Sequence, residues 1–256
     1  MLLVFAAPSG AQVNVQCPGD VDGDARWDSQ YGRCRGNGVT CSSNQDCNPP
    51  GPDNFGPCDT FDEVQPANVE CMHISGGDGF AVMADDYPQY IFSFADLTGT
   101  PQADAMENGI LAAAWPAPKI VLDEGQEFYL SLTNVGMMIR PDLFDPHTVH
   151  FHGFPNSSTV FDGLPESGLS INMGATLTYY YNLQDPGTYM YHCHVEATEH
   201  MQMGMLGNLY VRAAQVDGGW GTCNDGTQPC AGFAYNDGDG STGYDMDFAL
   251  QLGGFD

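Results

Sequence analysis

Six of the seven histidines in this 256-residue chain lie between positions 147 and 200, and their spacing constrains the fold more than any other feature. They fall in two segments, DPHTVHFHGF from residue 145 and YHCHVEATEHMQMGM from residue 191. On a β-strand, residues i and i+2 point to one face and residue i+1 points to the other. His192 and His194 should therefore share one face of a strand, with Cys193 on the opposite face. One short strand is predicted to serve two metal centres.

The side chains in these segments sort into two sets of candidate metal ligands. The first set combines two imidazoles, one thiolate and one thioether: His147, Cys193, His200 and Met205. Soft sulfur with borderline nitrogen is the donor set of a blue-copper electron-transfer centre. The second set is all imidazole, which suits a copper cluster that binds oxygen: His150, His152, His192 and His194. Cys193 would join the two centres covalently through its neighbours.

The His-x-x-His-x-His-Gly segment and the His-Cys-His…His-x-x-x-x-Met segment resemble the signature of the multicopper oxidases, which are laccase-like cupredoxin enzymes. The resemblance implies that the first set forms a type 1 copper site and that the second is half of an eight-histidine trinuclear cluster. Five residues separate His194 from His200, where the family usually has three, so the ligand loop is longer here. Met201 and Met203 compete with Met205 for the axial position, but only Met205 has the family spacing from His200.

Asp162 lies in a Phe-Asp-Gly segment ten residues after His152. It matches a position where first domains of these oxidases often carry an acidic residue near the cluster. The resemblance implies that this carboxylate orients a ligand or relays protons during oxygen reduction. Asp-Gly is also a common turn pair, and the sequence leaves both interpretations open.

The charge of the chain limits its partners. Six basic and 33 acidic residues give a net charge of −27, which argues against nucleic acid and anionic membrane surfaces. A highly solvated acidic surface explains this charge, and attraction of cationic substrates such as reduced metal ions is the alternative.

The cysteine count indicates an oxidising compartment. Assigning Cys193 to copper leaves eight of the nine cysteines, enough for four disulfides, and Cys223 and Cys230 are close enough to close a local loop. Residues 1–11 resemble the remnant of a secretory signal, and no later stretch is long and apolar enough to span a bilayer. We therefore expect a secreted or periplasmic protein without membrane insertion.

The fold is predicted to be all-β, a Greek-key β-sandwich of the cupredoxin type with a disulfide-rich irregular N-terminal segment. Residues 12–70 form that segment, 71–213 the cupredoxin domain, and 214–256 a Gly/Asp-rich extension. Eight strands are predicted in the domain, at 79–83, 90–94, 119–122, 127–133, 148–152, 175–181, 187–193 and 207–212, in an antiparallel arrangement. A strand-like run at 244–252 is the possible entry to a further cupredoxin domain.

Three other features have weaker interpretations. His73 matches nothing in the copper motif and is predicted to be structural. The acidic segments at 20–24 and 236–240 resemble calcium loops without the full spacing of such a loop, and solvated turns are the alternative.

The resemblance implies an oxidase that takes single electrons from a phenolic or metal-ion substrate and reduces dioxygen to water. The chain carries half of the histidines that the cluster needs, so another copy, as a homo-oligomer such as a trimer, or a further cupredoxin domain must supply the rest. The alternatives are an enzyme resembling the copper nitrite reductases and a non-enzymatic secreted blue-copper electron-transfer protein.

Overall fold

The computed structural model describes residues 15–18, 20, 24–26, 32–33, 40–41, 68–216, 218, 223 and 229–255. The predicted signal remnant at 1–11 and most of the Cys-rich segment at 12–70 lie outside these residues. Within the described residues, no helix is long and apolar enough to cross a membrane.

Two four-stranded sheets form a β-sandwich. The first sheet contains β3 (Val69–Val82), β4 (Pro88–Asp96), β6 (Glu127–Gly136) and β8 (Thr176–Asn182), in the order β4-β3-β6-β8. The second contains β5 (Ile120–Asp123), β7 (His150–Phe151), β9 (Gly187–His192) and β10 (Leu206–Arg212), in the order β5-β10-β9-β7. The predicted all-β fold class is confirmed.

The remaining elements are short. Strands β1 (Gly32–Arg33) and β2 (Thr40–Cys41) pair with each other, as do β11 (Gly232–Phe233) and β12 (Gly243–Tyr244). Two α-helices, α1 (Ala105–Gly109) and α2 (Ala197–Gln202), and two single-turn 3-10 helices, Gln102–Asp104 and Thr159–Phe161, lie in the connections.

All eight predicted strands are present, but the antiparallel arrangement predicted for them is wrong. Strand β3 pairs parallel with β6, and β5 pairs parallel with β10, while the other pairs in the two sheets are antiparallel. The chain leaves β3, passes through β4, α1 and β5, and returns to run beside β3 in the same direction. Short apolar runs show where strands lie, but they do not show the direction in which each strand pairs.

The core lies between the two sheets. The alternation of Phe128, Leu130 and Leu132 on β6 predicted one buried face, and all three side chains have no exposed surface. Aromatic side chains from both sheets belong to the same core: Phe92, Phe94, Phe151, Tyr179, Tyr181 and Tyr191. Burying one such side chain contributes roughly 1.5–3 kcal/mol, so this core holds the sandwich together.

The outer face of the first sheet carries a second, polar layer that is also buried. It consists of His73, Ser75, Ser131, Thr133, Thr176 and Thr178. The Nε2 atom of His73 lies 2.7 Å from Oγ1 of Thr133, and the backbone N–H of Gln16 donates to Oγ1 of Thr178. The disulfide between Cys17 and Cys71 ties this N-terminal stretch to β3. These contacts agree with a structural role for His73.

The predicted strand at 244–252 is wrong beyond its first residue, because β12 ends at Tyr244. The segment instead lies along the second sheet, where the side-chain amide of Asn208 donates to the carbonyl of Leu250 and Phe255 packs against Trp115. Strand β10 already pairs with β5 and β9, so it offers no free edge to this segment.

The acidic segment at 236–240 forms a tight turn. The carboxylate of Asp237 accepts hydrogen bonds from the hydroxyl of Thr242 and from the backbone N–H groups of Asp239, Gly240 and Thr242. The Thr242 hydroxyl is the main cause that lowers the pKa of Asp237 below its ordinary range, and the N–H groups of Thr242 and Gly240 add to the effect. The oxygens of Asp237 are thus used by the turn itself. The segment at 20–24 lies partly outside the described residues, and the calcium prediction stays a prediction.

Candidate metal centre

His147, Cys193 and His200 converge in the interior, with their ligand atoms all within 4.8 Å of one another. The Sγ atom of Cys193 lies 3.3 Å from Nδ1 of His200 and 3.8 Å from Nδ1 of His147. None of the three side chains has exposed surface. The structure therefore places one thiol and two imidazole nitrogens around a single point.

The loop between β9 and β10 carries Cys193 and returns His200 to it. The backbone N–H of Cys193 donates to the carbonyl of Met205, and the N–H of Met205 donates to the carbonyl of His200, so the loop closes on itself. The extra residues in this loop form α2, which begins after Glu196 and includes His200. One short helix thus accommodates the long spacing between His194 and His200.

His147 is held by the chain on either side of it. Its backbone forms a reciprocal pair of hydrogen bonds with Ile171, each 2.9 Å long. Its ring packs against Gly76 of β3, where a Cβ atom would lie 2.9 Å from Cδ2 of His147. A side chain at position 76 would displace this imidazole.

Met205 is fully buried and belongs to the same apolar cluster as Cys193. Met203 is only partly buried at the edge of that cluster, and Met201 is partly buried as well. Burial therefore distinguishes Met205 from the two methionines that competed with it in the sequence.

Burial changes the proton affinity of this group. It raises the pKa of the Cys193 thiol to about 11 and lowers the pKa of His147 to about 3, with the nearby His200 adding to the second effect. The pKa of His200 is lowered by burial too. Both imidazoles are thus neutral and have a lone pair to offer, whereas the thiol must lose its proton when a metal binds.

The second group of histidines lies on the other side of the same chain segment. Ligand atoms of His150, His152 and His192 all lie within 4.8 Å of one another, and the His194 ring is centred 5.0 Å from that of His150. His150 and His192 are directly opposed in the antiparallel pairing of β7 with β9. The alternation predicted around Cys193 is therefore found in the structure.

The histidine group opens to solvent. His192 is buried, His150 and His194 are partly buried, and His152 is exposed. Burial, followed by the charges of neighbouring histidines, lowers the pKa of His152, and burial is the main reason why the pKa of His192 falls to about 4. These side chains are available to a metal ion and to a second surface.

Asp162 contacts this group chiefly through its backbone. Nδ1 of His150 lies 2.6 Å from the carbonyl oxygen of Asp162, whereas the nearer carboxylate oxygen is 3.6 Å away. A carbonyl only accepts hydrogen bonds, so Nδ1 of His150 carries the proton and Nε2 is left for a metal. Gly163 allows this approach, because a Cβ there would overlap the carbonyl of Val149.

Residues 98–216 match the family described as multicopper oxidase. Laccase-1 of Emericella nidulans is 33% identical over 118 residues, which are 44% of this chain and 17% of that protein. Laccase abr2 of Aspergillus fumigatus is 32% identical over 119 residues, which are 45% of this chain and 18% of that protein.

Residues 98–216 of this chain form a multicopper oxidase domain. Among solved structures, the blue copper oxidase from Nitrosomonas europaea is similar over 56% of this chain and 38% of its own, with 30% identity and a TM-score of 0.42. The chain matches less than a fifth of the length of either laccase.

The donor atoms in this multicopper oxidase domain fit copper. Nε2 of His147 and Nε2 of His200 are buried without a hydrogen-bond partner, while Nδ1 of each ring faces the sulfur of Cys193. Two neutral imidazoles and a thiol in an apolar interior match the ligand preference of copper over calcium or magnesium.

Sequence reasoning missed two residues that shape the centre. Asn134, at the end of β6, donates from its side-chain amide to the carbonyls of Asp145 and Ile171, and so holds the chain on both sides of His147. The Oδ2 atom of Asp145 lies 3.7 Å from Nε2 of His200. Asp145, Glu196 and His200 form a third group whose potential metal-ligand atoms all lie within 4.8 Å of one another. An asparagine in a strand gives no sequence signal, but an acidic residue two positions before a candidate ligand does.

Proposed function

We propose that this chain contributes a type 1 copper site and half of a trinuclear copper cluster to a multicopper oxidase. Copper at these two sites would accept single electrons from a reducing substrate and deliver them to dioxygen, which is reduced to water. The proposed type 1 ligands are His147, Cys193, His200 and Met205. The proposed cluster ligands are His150, His152, His192 and His194.

The observation that supports this proposal most directly is the position of Cys193 between two histidines of the other group. The sulfur of Cys193 faces the interior, and the rings of His192 and His194 lie 5.6 Å apart on the opposite side. Two covalent routes of a few bonds each therefore join the two groups. Such short covalent routes suit electron transfer between two metal centres that each keep their own ligands.

The residues around the ligands have defined tasks in this proposal. The carbonyl of Asp162 fixes the tautomer of His150, and the carboxylate of the same residue is near enough to deliver protons to the cluster side. The apolar surroundings of Cys193 exclude water from its sulfur. The carbonyl of Cys193 accepts a hydrogen bond from Nδ1 of His192 at 2.7 Å, which leaves Nε2 of that ring for a metal.

The cluster needs histidines that this group of four does not supply. We propose that a second surface covers the exposed His152 and completes the cluster, either from another copy of the chain, with a trimer as the expected assembly, or from a further cupredoxin domain. A site at an interface requires an exposed ligand beside a buried one, as His152 is beside His192. The four histidines would then lie at the centre of an interface.

The test is to measure copper per chain and oligomeric mass on copper-loaded protein separated by size. An oligomer with more than one copper per chain supports the interfacial cluster. His152→Ala, which removes the exposed ligand, should lower the copper content, while the same change at His73 should leave it unaltered. A monomer with a single copper contradicts the oxidase proposal for the chain by itself and favours an electron carrier.

The reductant is proposed to be a cation, such as a reduced metal ion, rather than a neutral phenol. Asp145 and Glu196 lie beside Nε2 of His200, and the chain carries a net charge of −27, so both local and overall charge attract cations. The double variant Asp145→Asn with Glu196→Gln should raise the KM for Fe(II) and leave the KM for a neutral phenol unchanged. Equal effects on both substrates would contradict this choice.

The disulfides Cys17–Cys71 and Cys223–Cys230 support a location in an oxidising compartment, secreted or periplasmic. Among the described cysteines, Cys193 is the one outside a disulfide, as its proposed role requires. The nitrite reductase alternative has no specific observation in its favour. If the copper-loaded protein reduced nitrite and took up no oxygen, that result would support the nitrite reductase alternative.

A further inference from the structure

A row of four rings leads from the proposed type 1 site to the surface of the sandwich. The ring of His200 is centred 5.9 Å from that of Phe92, Phe92 is 5.6 Å from Tyr90, and Tyr90 is 5.6 Å from Phe80. His200 and Phe92 are buried, Tyr90 is partly buried, and Phe80 is 50% exposed. Strands β3 and β4 hold the three aromatic residues, so the row is part of the rigid first sheet.

Tyr90 is paired with a buried carboxylate. Its hydroxyl donates to Oδ2 of Asp78 at 2.8 Å, and Asp78 has no exposed surface. The backbone N–H groups of Met138 and Ile139 donate to the same carboxylate, at 3.0 and 2.8 Å. Asp78 is therefore fixed in place and points one oxygen at the phenol.

This pair has the two parts that a redox-active tyrosine requires. A tyrosine that loses an electron also loses its hydroxyl proton, and that proton must go to a base already within hydrogen-bond distance. Burial, together with the hydrogen bond to Asp78, raises the pKa of Tyr90 above its ordinary value, so the phenol is protonated before oxidation. Tyr90 is also the one residue of the row whose side chain can both lose an electron and hand on a proton.

We propose that Tyr90 and Asp78 form a proton-coupled relay that carries electrons from a surface reductant to the proposed type 1 site. This inference rests on the proposed function. An electron leaves Tyr90 through Phe92 towards His200, where oxidised copper at the proposed type 1 site would accept it, the O–H bond of Tyr90 breaks, and the proton moves to Oδ2 of Asp78. A one-electron donor such as a reduced metal ion, at the surface beside Phe80, then returns an electron to the tyrosyl oxygen, and the proton moves back from Asp78.

If Tyr90 and Asp78 form a relay, substitutions that keep the packing should still slow electron transfer, which a row of rings with only a packing role would not explain. Tyr90→Phe keeps the ring and removes the O–H group, so packing is retained and the proton-coupled step is lost. Asp78→Asn keeps the shape of the acceptor but cannot take the proton as a carboxylate does. Phe92→Leu keeps the apolar contact and removes the ring between Tyr90 and His200.

The test uses flash photolysis of the full-length protein with a ruthenium photo-oxidant attached at Val82→Cys. Val82 is exposed, on the same strand and face as Phe80. All variants carry Tyr87→Phe as well, because Tyr87 is exposed in the turn that follows β3 and would be oxidised directly by the label. The matched control is Tyr129→Phe, since the Tyr129 hydroxyl also donates to a carboxylate, that of Glu127, but Tyr129 lies on β6 outside the row.

Two signals are followed after the flash. In copper-free protein the tyrosyl radical should form in the parent and in Tyr129→Phe, and it should be absent in Tyr90→Phe and weak in Asp78→Asn. In protein loaded with reduced copper, formation of the oxidised blue centre should slow by roughly tenfold or more in Tyr90→Phe, Asp78→Asn and Phe92→Leu. Circular dichroism confirms that each variant is folded.

The outcomes separate this inference from the proposed function. A radical that persists in Tyr90→Phe, or a blue centre that forms equally fast in Tyr90→Phe and in Tyr129→Phe, overturns the relay. Protein that binds no copper contradicts the proposed function, while the copper-free radical signal still supports or overturns the Tyr90–Asp78 pair.

Discussion

Nε2 of His152 lies 2.9 Å from Nε2 of His192, and because Nδ1 of His192 donates to the carbonyl of Cys193, Nε2 of His152 is the donor of this hydrogen bond. The contact joins an exposed residue after β7 to a buried residue at the end of β9. Both neutral imidazoles, with a third nearby, can offer Nε2 lone pairs to a metal ion once the proton of His152 moves to its Nδ1 atom.

The two groups of ligands should be separable by mutation. His152→Ala should abolish oxygen uptake and lower the copper content, while the visible absorption of a copper–thiolate bond is retained. Cys193→Ser should remove that absorption, because sulfur is its source. Absorption spectra, copper analysis and oxygen consumption on the same samples check this prediction, and loss of the visible band in His152→Ala would contradict it.

Asn134 should be needed both for stability and for the geometry of the proposed type 1 site. Asn134→Ala removes three hydrogen bonds, to the carbonyls of Asp145 and Ile171 and from the N–H of Gly136, which should cost roughly 2–4 kcal/mol of unfolding free energy. Asn208→Ala is the control, since its amide also donates two hydrogen bonds but the site is partly exposed, and less than about 1 kcal/mol is expected. Urea denaturation measures both, and equal losses would contradict the role of Asn134.

His73 should make stability depend on pH. Burial lowers its pKa from 6.5 to about 4, and its Nδ1 atom is buried without a hydrogen-bond partner. Between pH 6.5 and 4 the unfolded chain therefore binds a proton that the folded chain does not, so the unfolding free energy falls as pH falls through this window. The shift corresponds to roughly 3 kcal/mol at most.

The variant His73→Asn isolates this effect from that of the other histidines. The parent should be more stable than the variant above pH 7, and this advantage should shrink as pH falls to 4. Denaturation at a series of pH values measures the difference. A difference that is constant across the window would show that His73 takes up its proton equally in both states.

The two disulfides should differ in their contributions. Cys17–Cys71 closes a separation of 54 residues and Cys223–Cys230 one of 7, so loop entropy gives about 4 and about 2.5 kcal/mol. Replacing both cysteines of a pair by serine should therefore destabilise the protein more for the first pair. Midpoints of urea denaturation under non-reducing conditions test the order, and the reverse order would show that the N-terminal stretch contributes little to the fold.

The sequence predicted which candidate ligands lie together in each group, because side chains on a strand alternate with a strict period. The spacing around Cys193 was enough to assign His192 and His194 to one group and Cys193 to the other. The alternation on β6 likewise gave the buried face of the first sheet. These are local patterns, and a local pattern can be read from one segment at a time.

Other features depend on segments far apart in the chain. The parallel pairing of β3 with β6, the end of the strand at Tyr244, and the contact of Asp162 through its backbone carbonyl could not be read from residue types. Asn134 and the Tyr90–Asp78 pair gave no sequence signal, because their partners lie on other strands or loops.

By itself, the sequence determined which side chains are candidate metal ligands and which face of a strand such as β6 is buried, since both follow from spacing along one strand. The tertiary structure alone decided where the strands pair, which polar atoms are buried without partners, and which residues surround the ligands. The physical reason is that burial and hydrogen bonding are properties of neighbours in space, and the chain brings those neighbours together only when the two sheets pack.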